Sequence, residues 1–558
     1  MKISRIIFPL FLSAALMSSC DDFFDVSESD FLTLEQVKVS MNQNRAFANN
    51  VYGYLRNDFC SVDGAMLDAG SDDALHLYEG SAIQRFVNGT WAANKTVDDL
   101  FAHYYKGIHD ANFYLENMAN IEFEDWATNE DYENNMKEIR NLKYEVRFLR
   151  AYFYFELVRR YQNVPLLTKV VSQSDVNNLT PNSYDEIFNF IIKECDELVD
   201  LLPVDYDGFV SKGYGRVTKG IALALKSRAA LYYASPLFNK SNDKSRWENA
   251  AEYSYELISK AGEYDYHLDA DFNNLFGPKN NGSKEVIFIR PGGVDNEFEK
   301  KNFPFGVTGG NTTTCPSENL ASAFEMNDGR TFDWNDPEMK AHPYANRDPR
   351  FYKTIVHNGM NWPAKTPVEI FEGGANALPL PKATKTGYYL RKYVNNTISF
   401  EPGAPTAKAT HNWVLFRYAE ILLNYAEAMT NAYEGITTTT ANCGMSALDA
   451  VNMVRGRKGV NMPKLPSTLT NAEFLAKVKN EKRVEFAFEG HRFWDLRRWK
   501  ELDQNSILYG VKVIKNGDEI TYTKVEVENR PVSDKMYFYP INDSEIIKNS
   551  NLVQNPGW

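Results

Sequence analysis

A tryptophan and an asparagine sit three apart at Trp91-Ala-Ala-Asn94, in a stretch of loop-forming composition. A flat indole offers a face against which the C–H face of a sugar ring packs, and a carboxamide three residues on supplies a donor and an acceptor to adjacent hydroxyls. Asn88-Gly89 before the pair and Asn94-Lys95 after it read as loop, which predicts a displayed indole. Trp334, in Asp333-Trp334-Asn335, and Trp362, after Asn358-Gly359, are loop tryptophans of the same kind, and either also suits a core. Asp73 is a further candidate for ligand contact. Together with Asp68 and Asp72 it could instead hold calcium, but no EF-hand spacing accompanies the three, and solvated loop acids are the simpler reading.

Residues for covalent or metal chemistry do not assemble. The chain has no GxSxG, no HExxH and no other histidine-rich metal spacing, with only 8 His in 558 residues. Gly213-Tyr-Gly-Arg-Val-Thr-Lys-Gly220 lacks the Gly-Lys-Ser/Thr ending of a phosphate loop and reads as a turn entering a helix. No catalytic residue, no metal and no cofactor is therefore expected. With 74 acids a glycosidase-type carboxylate pair is not excluded by inspection. A net charge of −13 argues against a nucleic-acid partner, because phosphate binding needs a basic footprint.

The N-terminus addresses the chain elsewhere. Lys2 and Arg5 precede an apolar run, Ile6–Leu16, and then small residues end at Cys20. An apolar run this short behind a basic start is a secretion signal and not a membrane span. Residues 1–19 are read as the signal and 20–558 as one domain. The cysteine at the cleavage point resembles a bacterial lipobox, which implies that Cys20 is acylated. Asp21, Asp22 and Asp25 behind it resemble the acidic signal that sends such lipoproteins to the outer face of the outer membrane. Cys60, Cys195, Cys315 and Cys443 show no CxxC or metal spacing and read as buried thiols.

The elements that must position the candidates are mainly helical. Leu142, Val146, Leu149, Phe153 and Leu157 step by three and four, one face of a helix, and Tyr144, Phe148, Tyr152 and Phe155 widen it. Ser183 with Glu186, Ser245 with Glu248, and Thr470 with Glu473 read as capping boxes opening further helices. Thr218–Ala234, Trp413–Met429 and Ser446–Arg457 are also helical, and the helix from Thr470 is expected to run on to Arg498. Paired helices with small and aromatic residues at matching places are similar to tetratricopeptide units, whose period is about 34 residues. The scaffold is placed at about 30–260 and 411–510. A loop-rich ligand region, with short strands at Val286–Arg290 and Tyr388–Val394, is placed at about 58–100 and 264–410, and a tail at 511–558. Tyr388 and Tyr389 should alternate across their strand, so that at most one faces a ligand.

Several segments resemble the SusD/RagB family of nutrient-binding lipoproteins. They are Lys143-Tyr-Glu-Val-Arg-Phe-Leu-Arg-Ala-Tyr-Phe-Tyr-Phe-Glu-Leu-Val158, Gly215-Arg-Val-Thr-Lys-Gly-Ile-Ala222, Phe416-Arg-Tyr-Ala-Glu-Ile-Leu-Leu423, Glu481-Lys-Arg-Val-Glu-Phe-Ala-Phe488 with its continuation to Trp499, and the closing Asn551-Leu-Val-Gln-Asn-Pro-Gly-Trp558. The resemblance implies a tetratricopeptide-like superhelix carrying an irregular ligand region. It also implies oligosaccharide capture at the cell surface and delivery to a SusC-like, TonB-dependent transporter in the outer membrane, without catalysis. The Trp91/Asn94 pair resembles the glycan-contacting pair of the starch-binding founding member. Peptide capture of the RagB type, a surface glycosidase and a scaffold with protein partners only are the alternatives. Arg147, Glu156, Arg417, Glu420, Glu427, Arg483 and Glu485 lie on helices beside aromatic stripes and are expected to pair with one another or cap neighbouring helices.

Overall fold

A computed structural model describes residues 34–211, 213–363 and 366–558; the signal and Cys20 lie outside the described residues. The helices stack as packed pairs. Helix α1 (Met41–Tyr52) leads into α2 (Phe101–Asn117) and α3 (Tyr132–Tyr161), which pack together, and α1 lies against both. Helices α4 (Tyr184–Leu201) and α5 (Lys219–Ala234) form the second pair and α6 (Lys244–Lys260) and α7 (Tyr418–Ala432) the third, while α8 (Ala447–Arg455) and α9 (Asn471–Glu485) each pack on α7. Each pair buries its face against the next, so one continuous apolar core runs through the stack. This is the mainly α superhelix expected. Among the described residues no helix is long and apolar enough to cross a membrane.

Local chemistry explains most boundaries. The Ser183/Glu186 and Thr470/Glu473 capping boxes are both formed. The box at Ser245 is not: Asp243 caps α6 and accepts from the Ser245 N–H at 2.9 Å, because a helix already under way at Lys244 leaves Ser245 inside its first turn. Two helices come out shorter than expected. Trp413–Arg417 is a strand, since its aromatic and β-branched side chains are all buried and it pairs antiparallel with β2, Val286–Arg290. The helix from Thr470 ends at Glu485, and a separate α10 follows at Arg492–Arg498. Phe488 at φ +60° and Gly490 at φ +75° turn the chain between them. The tail contains an unexpected hairpin, Ile507–Asn516 against Glu519–Asn529.

The loop-rich insertion leaves the scaffold after α6 and returns at Trp413, so the third helix pair is split by it. Its strand β2 pairs with Trp413–Arg417, and β1 (Ala74–His76), from the N-terminal loop stretch, pairs antiparallel with β3 (Thr314–Pro316) inside the insertion. The two loop-rich stretches, far apart in sequence, therefore meet in one small sheet. Of the expected strand at 388–394 only Tyr389–Leu390 is extended and paired, and both tyrosines are buried, with Tyr388 Oη donating to Glu318 at 2.5 Å and Tyr389 Oη to the Asn376 carbonyl at 2.5 Å. Neither faces a ligand.

The charged residues of the helices pair as expected. Arg147 bonds Glu194 and Glu197; Glu156 holds Arg159 and Arg160; Arg228 holds Glu420; Glu427 holds Arg498 and Lys482. Around Glu485 three arginines converge from separate segments, Arg350, Arg417 and Arg457. A carboxylate with three cationic partners stays ionised in the core, and the cluster pins the insertion to α9. Cys60, Cys195, Cys315 and Cys443 are buried free thiols.

Candidate functional site

The structure separates the residues singled out in the sequence. Trp91 is 3% exposed; its ring meets Phe86, Tyr539 and Trp558 edge-on at 4.7, 5.0 and 4.7 Å between centroids. The expectation of a displayed indole is overturned. Its turn is closed by an Ala92–Lys95 bridge, which leaves Asn94 exposed on the outside while the indole turns into the core and contacts the C-terminal residues. The two do not converge on one recess. Local turn signals were read correctly, but the C-terminal segment that covers the ring lies more than four hundred residues away.

Asp68, Asp72 and Asp73 are buried, not solvated. Asp72 accepts from Arg483 and Arg492, each at 2.8 Å, and Asp73 pairs with Arg483 at 2.7 Å. Burial alone would raise the carboxyl of Asp72; Arg483 and Arg492 outweigh it and hold the group at about 2. The acids fasten the N-terminal loop stretch to the α9–α10 break, where Asp68 also accepts from the Phe488 N–H at 3.1 Å. Trp334 is half-buried, its ring edge-on to Phe332 and its N–H donated to Glu318 at 2.8 Å. Trp362 is 3% exposed, packs edge-on to Phe303 and lines one wall of a cleft of about 290 Å³.

Three large aromatic rings are exposed among the described residues, Tyr78 at 68%, Tyr214 at 51% and Trp126 at 48%, and of these Tyr78 alone lies on a loop-rich stretch expected to carry ligand. It follows β1, whose hydrogen bonding to the β3 side continues through the Leu77 N–H to the Thr313 carbonyl at 2.9 Å. The loop is held from below: Gln84, itself buried, donates its amide to the His76 carbonyl at 2.7 Å and the Tyr78 carbonyl at 3.5 Å, and the Ser81 N–H closes a turn onto Tyr78. The ring lies against bare backbone at Gly80, where a Cβ would come within 3.2 Å of it. Polar groups stand beside it. Glu79, next in the chain, pairs with Lys385 at 2.9 Å, and on the loop that leads into β3 the exposed Asn311 accepts from Lys382 at 2.9 Å. That loop is itself fixed, through Thr312 Oγ1 accepting from the Phe305 N–H at 2.8 Å and Asn376 donating to the Phe305 carbonyl at 2.7 Å.

An exposed flat ring on a braced loop offers a stacking face of the kind a sugar ring fits, and the adjoining Glu79–Lys385 pair offers groups that can hydrogen-bond hydroxyls. No periodicity or binding motif in the sequence marks this tyrosine. The turn chemistry of Tyr78-Glu79-Gly80-Ser81 was the available signal.

A family model for the SusD family matches residues 245–558, and a model described as starch-binding, associating with the outer membrane, matches residues 22–231. SusD-like protein P2 of Formosa agariphila is 25% identical over 484 residues, 83% of this chain and 81% of its own length. A SusD-like protein from Bacteroides fragilis superposes with a TM-score of 0.76 at 26% identity, covering 94% of this chain and 98% of its own. A second from the same species, described as a SusD-like carbohydrate-binding protein, superposes at 0.75 with 24% identity, covering 93% and 100%.

Proposed function

This chain belongs to the SusD family, and on that premise we propose that it captures glycan on the Tyr78 face and passes it, uncleaved, to a SusC-like TonB-dependent transporter in the outer membrane. The observation that carries the reading is the exposed Tyr78 ring, braced where the two loop-rich stretches join and flanked by the Glu79–Lys385 pair. Relatives described as carbohydrate-binding and laminarin-binding support a sugar ligand, and the starch-binding, outer-membrane description of the matched family model supports the setting. Cys20, acylated, is the anchor in this reading, since several acyl chains hold a protein where one binds only marginally. The arginines and carboxylates of the core are structural in this reading.

Isothermal titration of the mature chain against a panel of polysaccharides and peptides tests the proposal. Covering about 60 Å² of ring and sugar surface at roughly 25 cal/mol per Å² contributes about 1.5 kcal/mol, so Tyr78→Ala should weaken glycan binding about tenfold. Its melting temperature should stay within a few degrees of the parent's. Binding of peptides alone would point to the RagB-type reading, and sugar products accumulating on incubation would make the protein a glycosidase.

A further inference from the structure

One recess has a charge that runs against the rest of the chain. In a protein of net charge −13, the cleft walled by Trp362, Phe276 and Tyr393 has no carboxylate among its described lining residues, yet Arg391 and Lys353 both border it. The guanidinium of Arg391 donates to the Tyr352 carbonyl and lies 3.9 Å from the Met360 sulfur, and it forms no ion pair among the described residues. Burial lowers its pKa with no neighbouring anion to restore it. Lys353 likewise forms no ion pair among the described residues, whereas Lys392, the third cation of the lining, is turned inward onto Glu489 at 2.7 Å and the Glu485 carbonyl at 3.1 Å.

Comparison with the other arginines gives the contrast its meaning. Arg350, Arg417, Arg457, Arg492 and Arg498 are all matched by buried carboxylates. Arg347 and Arg497 lack them, but both are closed in by backbone carbonyls and a phenylalanine ring. Of the arginines without a carboxylate, Arg290 is turned onto the Leu55 carbonyl at 2.6 Å, and of Arg347, Arg391 and Arg497 only Arg391 lines a recess among the described residues. A cation kept half-buried at a cleft mouth without a counter-charge is costly unless an anion from outside completes it. The cleft also offers apolar ring edges and, at its rim, the amides of Asn273 and Asn396.

We infer that the Trp362 cleft is a second ligand site, which takes a sugar bearing a carboxylate or sulfate group: Arg391 and Lys353 receive the oxyanion, and Trp362 and Phe276 flank the ring. That the ring is a sugar rests on the glycan-capture reading; the preference for an anion does not. The Tyr78 surface and this cleft would then read two features of one polymer, a ring face and an acid group.

Titration of the full mature chain with three probes tests this: an oligogalacturonate, a sulfated galacto-oligosaccharide and an uncharged galacto-oligosaccharide, each at 50 and 300 mM NaCl. At least one acidic probe should bind tenfold or more tightly than the uncharged one at low salt and lose much of that margin at high salt. Lys353→Gln and Arg391→Gln should each remove most of the acidic preference, whereas Tyr78→Ala should lower affinity for charged and uncharged probes alike. Lys353 forms no ion pair or side-chain hydrogen bond among the described residues, so its variant keeps the test decisive if Arg391→Gln folds poorly. Equal binding of charged and uncharged probes, or an acidic preference that survives Lys353→Gln, overturns the proposal. Inorganic sulfate competing as strongly as the sulfated sugar would also overturn it, by showing a bare anion site. Loss of all glycan binding in the parent protein would instead count against the glycan-capture reading.

Discussion

Arg417 Nη1 stands 2.6 Å from Glu485 Oε1, and neither side chain is more than 1% exposed. The arginine ends the strand by which the insertion rejoins the scaffold, and the glutamate ends α9. Their contact is thus a joint between the ligand-bearing loops and the helical stack.

Removing one side of that joint should be severe. Glu485→Ala takes the shared carboxylate from Arg350, Arg417 and Arg457, which keep only Asp348, Glu481, Glu489 and Glu285 between them, and breaking a buried ion-pair cluster in this way costs about 3–5 kcal/mol. Urea unfolding of the variant should show that loss. A change under about 1 kcal/mol would mean the cluster relaxes without its centre.

Acid should loosen the same core. Burial raises the carboxyl of Glu427, but Arg498 and Lys482 outweigh it and hold it at about 2, below its unfolded value of 4.5. A depressed carboxyl contributes stability that is present above the unfolded pKa and is lost as pH falls through the folded one. The melting temperature should therefore fall between about pH 4.5 and pH 2, and Glu427→Gln, less stable at neutral pH, should fall less steeply over that range. Parallel curves would remove Glu427 from the account.

Asp68 runs the other way. Burial first, and then the charge of Asp73, push its carboxyl up to about 7 from 3.8, and its Oδ2 has no hydrogen-bond partner. A raised pKa contributes stability that is present below the unfolded value and lost as pH rises through the folded one. Asp68→Asn, which resembles the protonated form, should gain on the parent in thermal melts as pH climbs from about 4 to 7. A gap independent of pH would show that this carboxyl does not titrate there.

Trp91→Ala should act on stability and not on binding. Its indole fills a cage of Phe86, Tyr539 and Trp558, and emptying such a site costs about 3–5 kcal/mol. Glycan affinity per folded molecule should be unchanged. A selective loss of affinity at full stability would return Trp91 to the ligand surface.

Cys20→Ala should shift the protein from the membrane fraction to the soluble fraction, followed by fractionation and immunoblot. Retention of the variant in the membrane at the parent's level would sink the lipid anchor.

Much of the scaffold was written locally. The three-and-four stepping of Leu142 to Leu157, the Ser183/Glu186 and Thr470/Glu473 boxes, and the strand at Val286–Arg290 are each specified by neighbours within a few residues. Charged residues set among aromatic stripes must find partners, which by itself pointed to pairing for Arg417, Glu427, Arg483 and Glu485, although Arg417 ends a strand and Arg483 reaches the loop acids Asp72 and Asp73. What only the tertiary structure decided was which side chains see solvent. Trp91 is covered by Tyr539 and Trp558, Asp72 and Asp73 are claimed by Arg483, and Trp413–Arg417 becomes a strand because β2 lies beside it. Tyr78 stays bare because its loop, braced by Gln84, projects past the sheet formed with Thr314–Pro316. Exposure is set by segments hundreds of residues distant, and no local pattern around a tryptophan or a tyrosine encodes their arrival.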